Sequence, residues 1–159
     1  MNPTINNIKS IRKAILTSIS GLSTDQLNEI PEGFNNNIIW NFAHLIASQQ
    51  GLCYFRAGLE MPLGSHFVSL YKPDTKPNGY VDEQEISRIK DLFTSSIEQL
   101  EEDYEKKIFN NYQAFVNRYG IELSDIEEVI EFVPVHDAIH FGYIMALKRV
   151  VLKNILPGT

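Results

Sequence analysis

Ile5, Ile8, Ile11, Ile15 and Ile19 recur at steps of three and four, and Leu16 and Leu22 widen the same stripe. That spacing predicts an amphipathic helix over about residues 3–20, with Gly21 ending it. The same period governs most of the chain. Ser23-Thr24-Asp25-Gln26 has the form of a capping box and opens a short turn that stops before Pro31. The Asn35-Asn36-Asn37 cluster can cap a second long helix through Ile38, Trp40, Phe42, Leu45, Ile46 and Leu52 to about Ala57. Because it is apolar on most sides, this helix is expected to be the most buried. Asp82-Glu83-Gln84-Glu85 caps a third, with Ile86, Ile89, Phe93, Ile97, Leu100 and Tyr104 along about residues 82–106. Ser124-Asp125-Ile126-Glu127 has the capping-box form again and starts a fourth, running to about residue 154, which Pro134 should kink.

Between the second and third helices, Gly58, Pro62, Gly64, Pro73, Pro77 and Gly79 mark turn chemistry and no helix. About two dozen residues are long for a helix connection and can travel back along a bundle, so the flanking helices need not be an antiparallel hairpin. The aromatic segment with Phe109, Tyr112, Phe115 and Tyr119 is poorly periodic and reads as a loop with helical pieces. No stretch alternates with period two, and no internal repeat is evident. The expectation is an all-α fold, a four-helix bundle forming one domain over residues 1–159, with a long crossover between helices 2 and 3.

Composition narrows the chemistry. The 14 basic and 20 acidic residues leave a net charge of −6, with no cluster of Lys and Arg, so nucleic acid is not an expected partner. Half of the acidic residues lie in two runs, Glu98 to Glu105 and Glu122 to Glu131, which read as solvated helix faces. Neither a signal peptide nor a membrane span is expected, since the first residues lack a charged stretch followed by an apolar one and no long apolar run occurs. One cysteine, Cys53, allows no intramolecular disulfide and points to a cytoplasmic location. Phosphate-cradling glycine loops, nucleophile elbows and Cys-x-x-Cys pairs are absent.

Four histidines remain. His136 and His140 are four residues apart on one helix, about 40° around its axis and about 6 Å along it, so both can reach one metal ion. A pair at this spacing is also commonly just two polar residues on a boundary face. A third ligand would have to come from another helix. His44 is the candidate, a polar ring among Trp40, Ile46 and Ala47, where a bare imidazole needs explaining. His66 lies in a Gly-Ser-His-Phe loop with no second ligand nearby and reads as a surface residue. Cys53, nine residues beyond His44, falls on the opposite side of the helix and reads as structural. A carboxylate-bridged di-iron site needs two Glu-x-x-His pairs and two further Glu. Asp137-x-x-His140 is the sole approximation to one, and Asn41-x-x-His44 lacks a carboxylate.

Asn37-Ile38-Ile39-Trp40-Asn41-Phe42-Ala43-His44-Leu45 and His136-Asp137-Ala138-Ile139-His140-Phe141-Gly142-Tyr143-Ile144 together resemble the DinB-like superfamily, also called YfiT-like, and the resemblance spans essentially the whole chain. It implies a four-helix bundle with a long crossover between the second and third helices, and three histidines, His44, His136 and His140, on one divalent metal. Relatives in that superfamily include thiol-dependent S-transferases and mycothiol-dependent maleylpyruvate isomerases, and the superfamily is also described as metal-dependent hydrolases. The implied activity is a transferase or hydrolase acting on a small-molecule substrate with a low-molecular-weight thiol, and the implied assembly is a homodimer. Zinc, nickel, iron or manganese all suit three nitrogen ligands with open positions. Trp40 and Tyr143, near the histidines in sequence, are candidates to line the substrate pocket. The one carboxylate beside the histidines, Asp137, is expected to point sideways. The alternative is a non-catalytic bundle that binds a small ligand or a second subunit, for which the aromatic segment Phe109 to Tyr119 could serve.

Overall fold

The structure, a computed structural model, describes residues 2–153. Helix α1 spans Pro3–Ile19: the Asn2 side chain accepts from the Thr4 N–H, Pro3 supplies a preset φ at the first position, and Ile5, Ile8, Ile15 and Ile19 are buried along one face. The short α2, Thr24–Asn28, is opened by the reciprocal Ser23–Gln26 capping box that its sequence announces. Helix α3, Ile38–Gln49, is capped by Asn37, which accepts from Trp40 N–H at 2.9 Å, and every one of its residues is buried. It continues into a π-helical turn, Gln50–Tyr54, and a 3-10 turn, Phe55–Ala57, and stops at Gly58, where φ is +69°. That left-handed conformation is accessible to glycine without steric cost.

The segment expected to hold no helix contains α4, Gly64–Tyr71. Phe67 buries itself, and Leu63, Val68 and Tyr71 pack on the core. These residues sit at helical spacing, and tertiary burial outweighs the flanking glycines and prolines. Helix α5, Glu83–Glu105, starts where Asp82 accepts from the Glu85 N–H at 2.8 Å. The aromatic segment is not a loop with helical pieces. It carries a two-stranded antiparallel hairpin, β1 Phe115–Val116 and β2 Glu122–Leu123, whose two-residue strands are too short to show alternation in sequence. Helix α6, Ile126–Lys153, is continuous through Pro134. Its first turn is shifted one residue from expectation. Asp125, not Ser124, accepts from the Glu128 N–H, and Glu128 reaches back to the Ser124 N–H. The expected helix end near residue 154 lies outside the described residues.

The described residues are thus mostly helical with one small sheet. Helix α1 packs on α5 and α6, and α3 packs on the same two as well as on α2 and α4. Arg12 ties these elements together from inside. Its guanidinium pairs with Asp137 of α6 at 3.0 Å and donates to the Phe93 carbonyl and Ser96 hydroxyl of α5 and to the Leu45 carbonyl of α3. Arg12 is 2% exposed and Asp137 0%. Among the described residues no helix is long and apolar enough to cross a membrane.

Candidate metal centre

His44 comes from the middle of α3, and His136 and His140 come from successive turns of α6, which packs against it. The helical register brings their rings together. Ring centroids are 4.7 Å apart for His44 and His140, 4.7 Å for His136 and His140, and 5.5 Å for His44 and His136. One ring nitrogen from each lies within 4.8 Å of the others, and among the described residues this is the one such grouping of His, Cys, Asp or Glu side chains. The three histidines can hold a metal ion.

Hydrogen bonds outside the cluster decide which nitrogens face inward. The Tyr71 carbonyl lies 2.6 Å from His44 Nδ1, and a carbonyl can only accept, so Nδ1 carries the proton and Nε2 keeps its lone pair. The Ser48 hydroxyl, one turn on, donates to that Nε2 at 3.2 Å. For His140 the logic has one more step. Asn41 Nδ2 donates to the Asn37 carbonyl and to Asn36 Oδ1, both at 2.8 Å. That fixes the amide orientation, so Asn41 Oδ1 is the acceptor 2.9 Å from His140 Nδ1. His140 Nδ1 therefore bears the proton, and Nε2 is free for a ligand. Holding the outer ring nitrogen in this way is how metal-binding imidazoles are generally oriented.

All three rings are neutral near pH 7. Burial lowers the pKa of His44. Burial first, then the neighbouring histidines and the charges of Arg12 and Arg118, bring His136 down to about 3. Burial, with His44 and Arg118, brings His140 down to about 4. Neutral imidazole is the form that binds metal.

The remaining expected residues divide. Trp40, one turn before His44, stacks on it with centroids 4.8 Å apart and planes 12° from parallel. It is buried, lines a cavity of about 60 Å³ with Tyr71, Pro77 and Gly79, and its indole N–H has no partner. Tyr143 is exposed on α6 and packs edge-on against Phe34. Asp137 points away from the cluster, as expected, into the pair with Arg12. His66 is exposed but helical, within α4, and not in a loop. Cys53 is fully buried, and burial pushes its thiol up to about 12, so it is inert. The aromatic segment divides: Phe109 is buried against Tyr54, the Tyr112 hydroxyl donates to the Leu52 carbonyl and Phe115 lies under Arg56, while Val116 and Tyr119 are exposed. Sequence reasoning missed Ser48 and Asn41 as partners of the histidines, although both lie within one turn of His44. The Tyr71 carbonyl, a main-chain group, leaves no such trace.

No curated protein matches this sequence. Residues 8–144, which include all three histidines and the Asn41 and Tyr71 groups that orient two of them, match the DinB superfamily. With that match covering most of its length, the chain belongs to the DinB superfamily.

Proposed function

We propose that His44, His136 and His140 bind one divalent ion, zinc, nickel, iron or manganese, and that the protein is a metal-dependent transferase of the thiol S-transferase type, or a hydrolase, acting on a small molecule. The observation that carries this reading is the pair of fixed tautomers: the Tyr71 carbonyl and the Asn41 amide keep the protons of His44 and His140 on Nδ1, so both Nε2 atoms carry lone pairs, that of His44 accepting only from the rotatable Ser48 hydroxyl, which a metal ion would displace. When bound, such an ion supplies Lewis acidity, lowering the pKa of a thiol or water that reaches it. The chain's own groups hold the rings neutral and oriented, and Trp40 backs His44 so that it cannot swing away. No carboxylate belongs to the cluster among the described residues, and Asp137 is committed to Arg12. A nucleophile that needs little help to ionise is therefore favoured. A thiol, with an ordinary pKa near 8.5, fits better than water at about 15.7.

We read α1, α3, α5 and α6 as the superfamily's four-helix bundle in a single domain, with the segment between α3 and α5 as its long crossover. The pairwise packing of these helices supports that reading. The buried free thiol of Cys53 suits a reducing, cytoplasmic setting. A second copy of the chain is the expected partner, and Val135, Ile139 and Tyr143 supply an exposed apolar stripe on α6, in addition to the exposed Val116 and Tyr119 of the aromatic segment.

Metal analysis of the full chain, purified without chelator, tests the reading. About one equivalent is expected in wild type and little in His44→Ala or His136→Ala. Substoichiometric metal that neither substitution changes would favour the non-catalytic alternative.

A further inference from the structure

Two surface turns, each tied to a different histidine, meet beside the cluster. The first follows α4. The Tyr71 carbonyl is bonded to His44, the Thr75 hydroxyl donates to the Leu70 and Lys72 carbonyls, and Asp74 sits between them at φ +66°. The second is the tip of the hairpin. Gly120 N–H donates to the Asn117 carbonyl, and Asn117 Oδ1 accepts from the Tyr119 and Ile121 N–H groups, so Arg118 is held on a braced turn. Tyr119 lies against Phe132, and Phe132 against His136, with centroids 6.2 Å apart in each case. Across the gap Arg118 Nη2 faces Asp74 Oδ1 at 3.7 Å, beyond hydrogen-bond range, with the two side chains 58% and 91% exposed. A pair this exposed and this loose contributes little and is easily exchanged.

Two arginines lie in the surroundings of the histidines: Arg12 pairs with Asp137, next to His136, and Arg118 faces Asp74, three residues on from the Tyr71 carbonyl that His44 holds, and precedes Tyr119, which reaches His136 through Phe132. Arg12 is buried, with its donors committed to Asp137, Phe93, Ser96 and Leu45. Arg118 keeps a solvent-facing planar fork, in a chain whose net charge of −6 otherwise repels anions. We infer that Arg118 is the anchor for a carboxylate on the small molecule taken by the three-histidine centre, and that this carboxylate replaces Asp74 on the guanidinium. Arg118 selects for charge and geometry, because a guanidinium grips a carboxylate through two parallel N–H bonds. The inference rests on the metal reading above.

The test uses the full chain loaded with Co²⁺, whose absorption reports both metal occupancy and thiol binding. Two probes differ only in charge: 3-mercaptopropionate and its neutral amide, 3-mercaptopropionamide. Wild type is expected to bind the acid about tenfold more tightly, the low end for a hydrogen bond to a charged group. Arg118→Gln should bind the two equally, Arg118→Lys should keep part of the preference, and Asp74→Asn should strengthen it several-fold. Equal binding in wild type, or a preference that survives in Arg118→Gln, would overturn the role of Arg118 while leaving the metal centre standing. A cobalt centre that takes neither thiol would also contradict it. Failure of wild type to take up cobalt would instead bring down the metal reading itself.

Discussion

Asn41 holds one of the three histidines in place without belonging to the cluster. Its amide nitrogen is spent on Asn37 and Asn36, and its oxygen is spent on His140 Nδ1. Replacing it by leucine frees His140 to change tautomer or rotate, and loss of such an outer partner typically weakens metal binding by about 10–100-fold. Chelator competition on Asn41→Leu should show that loss, with Asn41→Asp, which keeps an acceptor at the same place, retaining most of the affinity. The histidine trio itself is legible in the sequence, because the four-residue pair, common enough alone on a boundary face, occurs together with a histidine inside an apolar helix and with the motifs that resemble the DinB-like superfamily. What orients the trio is legible only in part. Asn41 and Ser48 lie within a turn of His44. The Tyr71 carbonyl belongs to a helix, α4, whose apolar residues are masked by Gly58, Pro62 and Gly64, and a main-chain acceptor has no residue type to betray it.

Helix starts in this chain are written in its side chains, which is why three of the four long ones can be placed closely. Asn2, Asn37 and Asp82 each accept from an N–H in the first turn. The fourth, α6, shows the limit of the pattern. Ser124-Asp125-Ile126-Glu127 and Asp125-Ile126-Glu127-Glu128 both carry a cap residue with glutamate three positions on, and the structure uses the second. Packing of Ile126 and Val129 on the core chooses between the two registers. Since Asn37 also starts the helix that carries His44, Asn37→Ala should lower stability by about 1 kcal/mol in chemical denaturation, the usual loss for a missing N-cap. The hairpin Phe115–Leu123 escaped notice because two residues per strand give periodicity nothing to act on. It matters here because its turn carries Arg118.

Through Arg12 and Asp137 the whole molecule is coupled at one buried ion pair, one residue from His136 and joined to α1, α3, α5 and α6. Asp137 Oδ1 has no partner, so the pair is imperfectly satisfied and specifies the arrangement more than it strengthens it. Asp137→Ala leaves the guanidinium buried and unpaired and should cost about 3–5 kcal/mol in urea unfolding, while Arg12→Met combined with Asp137→Leu should recover much of that. Acid acts on the same core. In the unfolded chain histidine takes a proton near pH 6.5, whereas folded His136 and His140 resist until about 3 and about 4. Between those limits the unfolded state holds more protons, so the metal-free protein loses stability as pH falls from about 6.5 towards 4, by about 1.4 kcal/mol per pH unit for each histidine kept neutral. Asp137, raised by burial, titrates with the opposite sign. The difference between wild type and His136→Gln therefore isolates the histidine contribution, and the variant should show the shallower decline. Calorimetric titration of the metal-free full chain with Zn²⁺ at pH 7 bears most directly on the three-histidine centre. One saturable equivalent in wild type, abolished in His44→Ala and in His140→Ala, is the expected result; binding that is absent in wild type, or that persists in both variants, would contradict it.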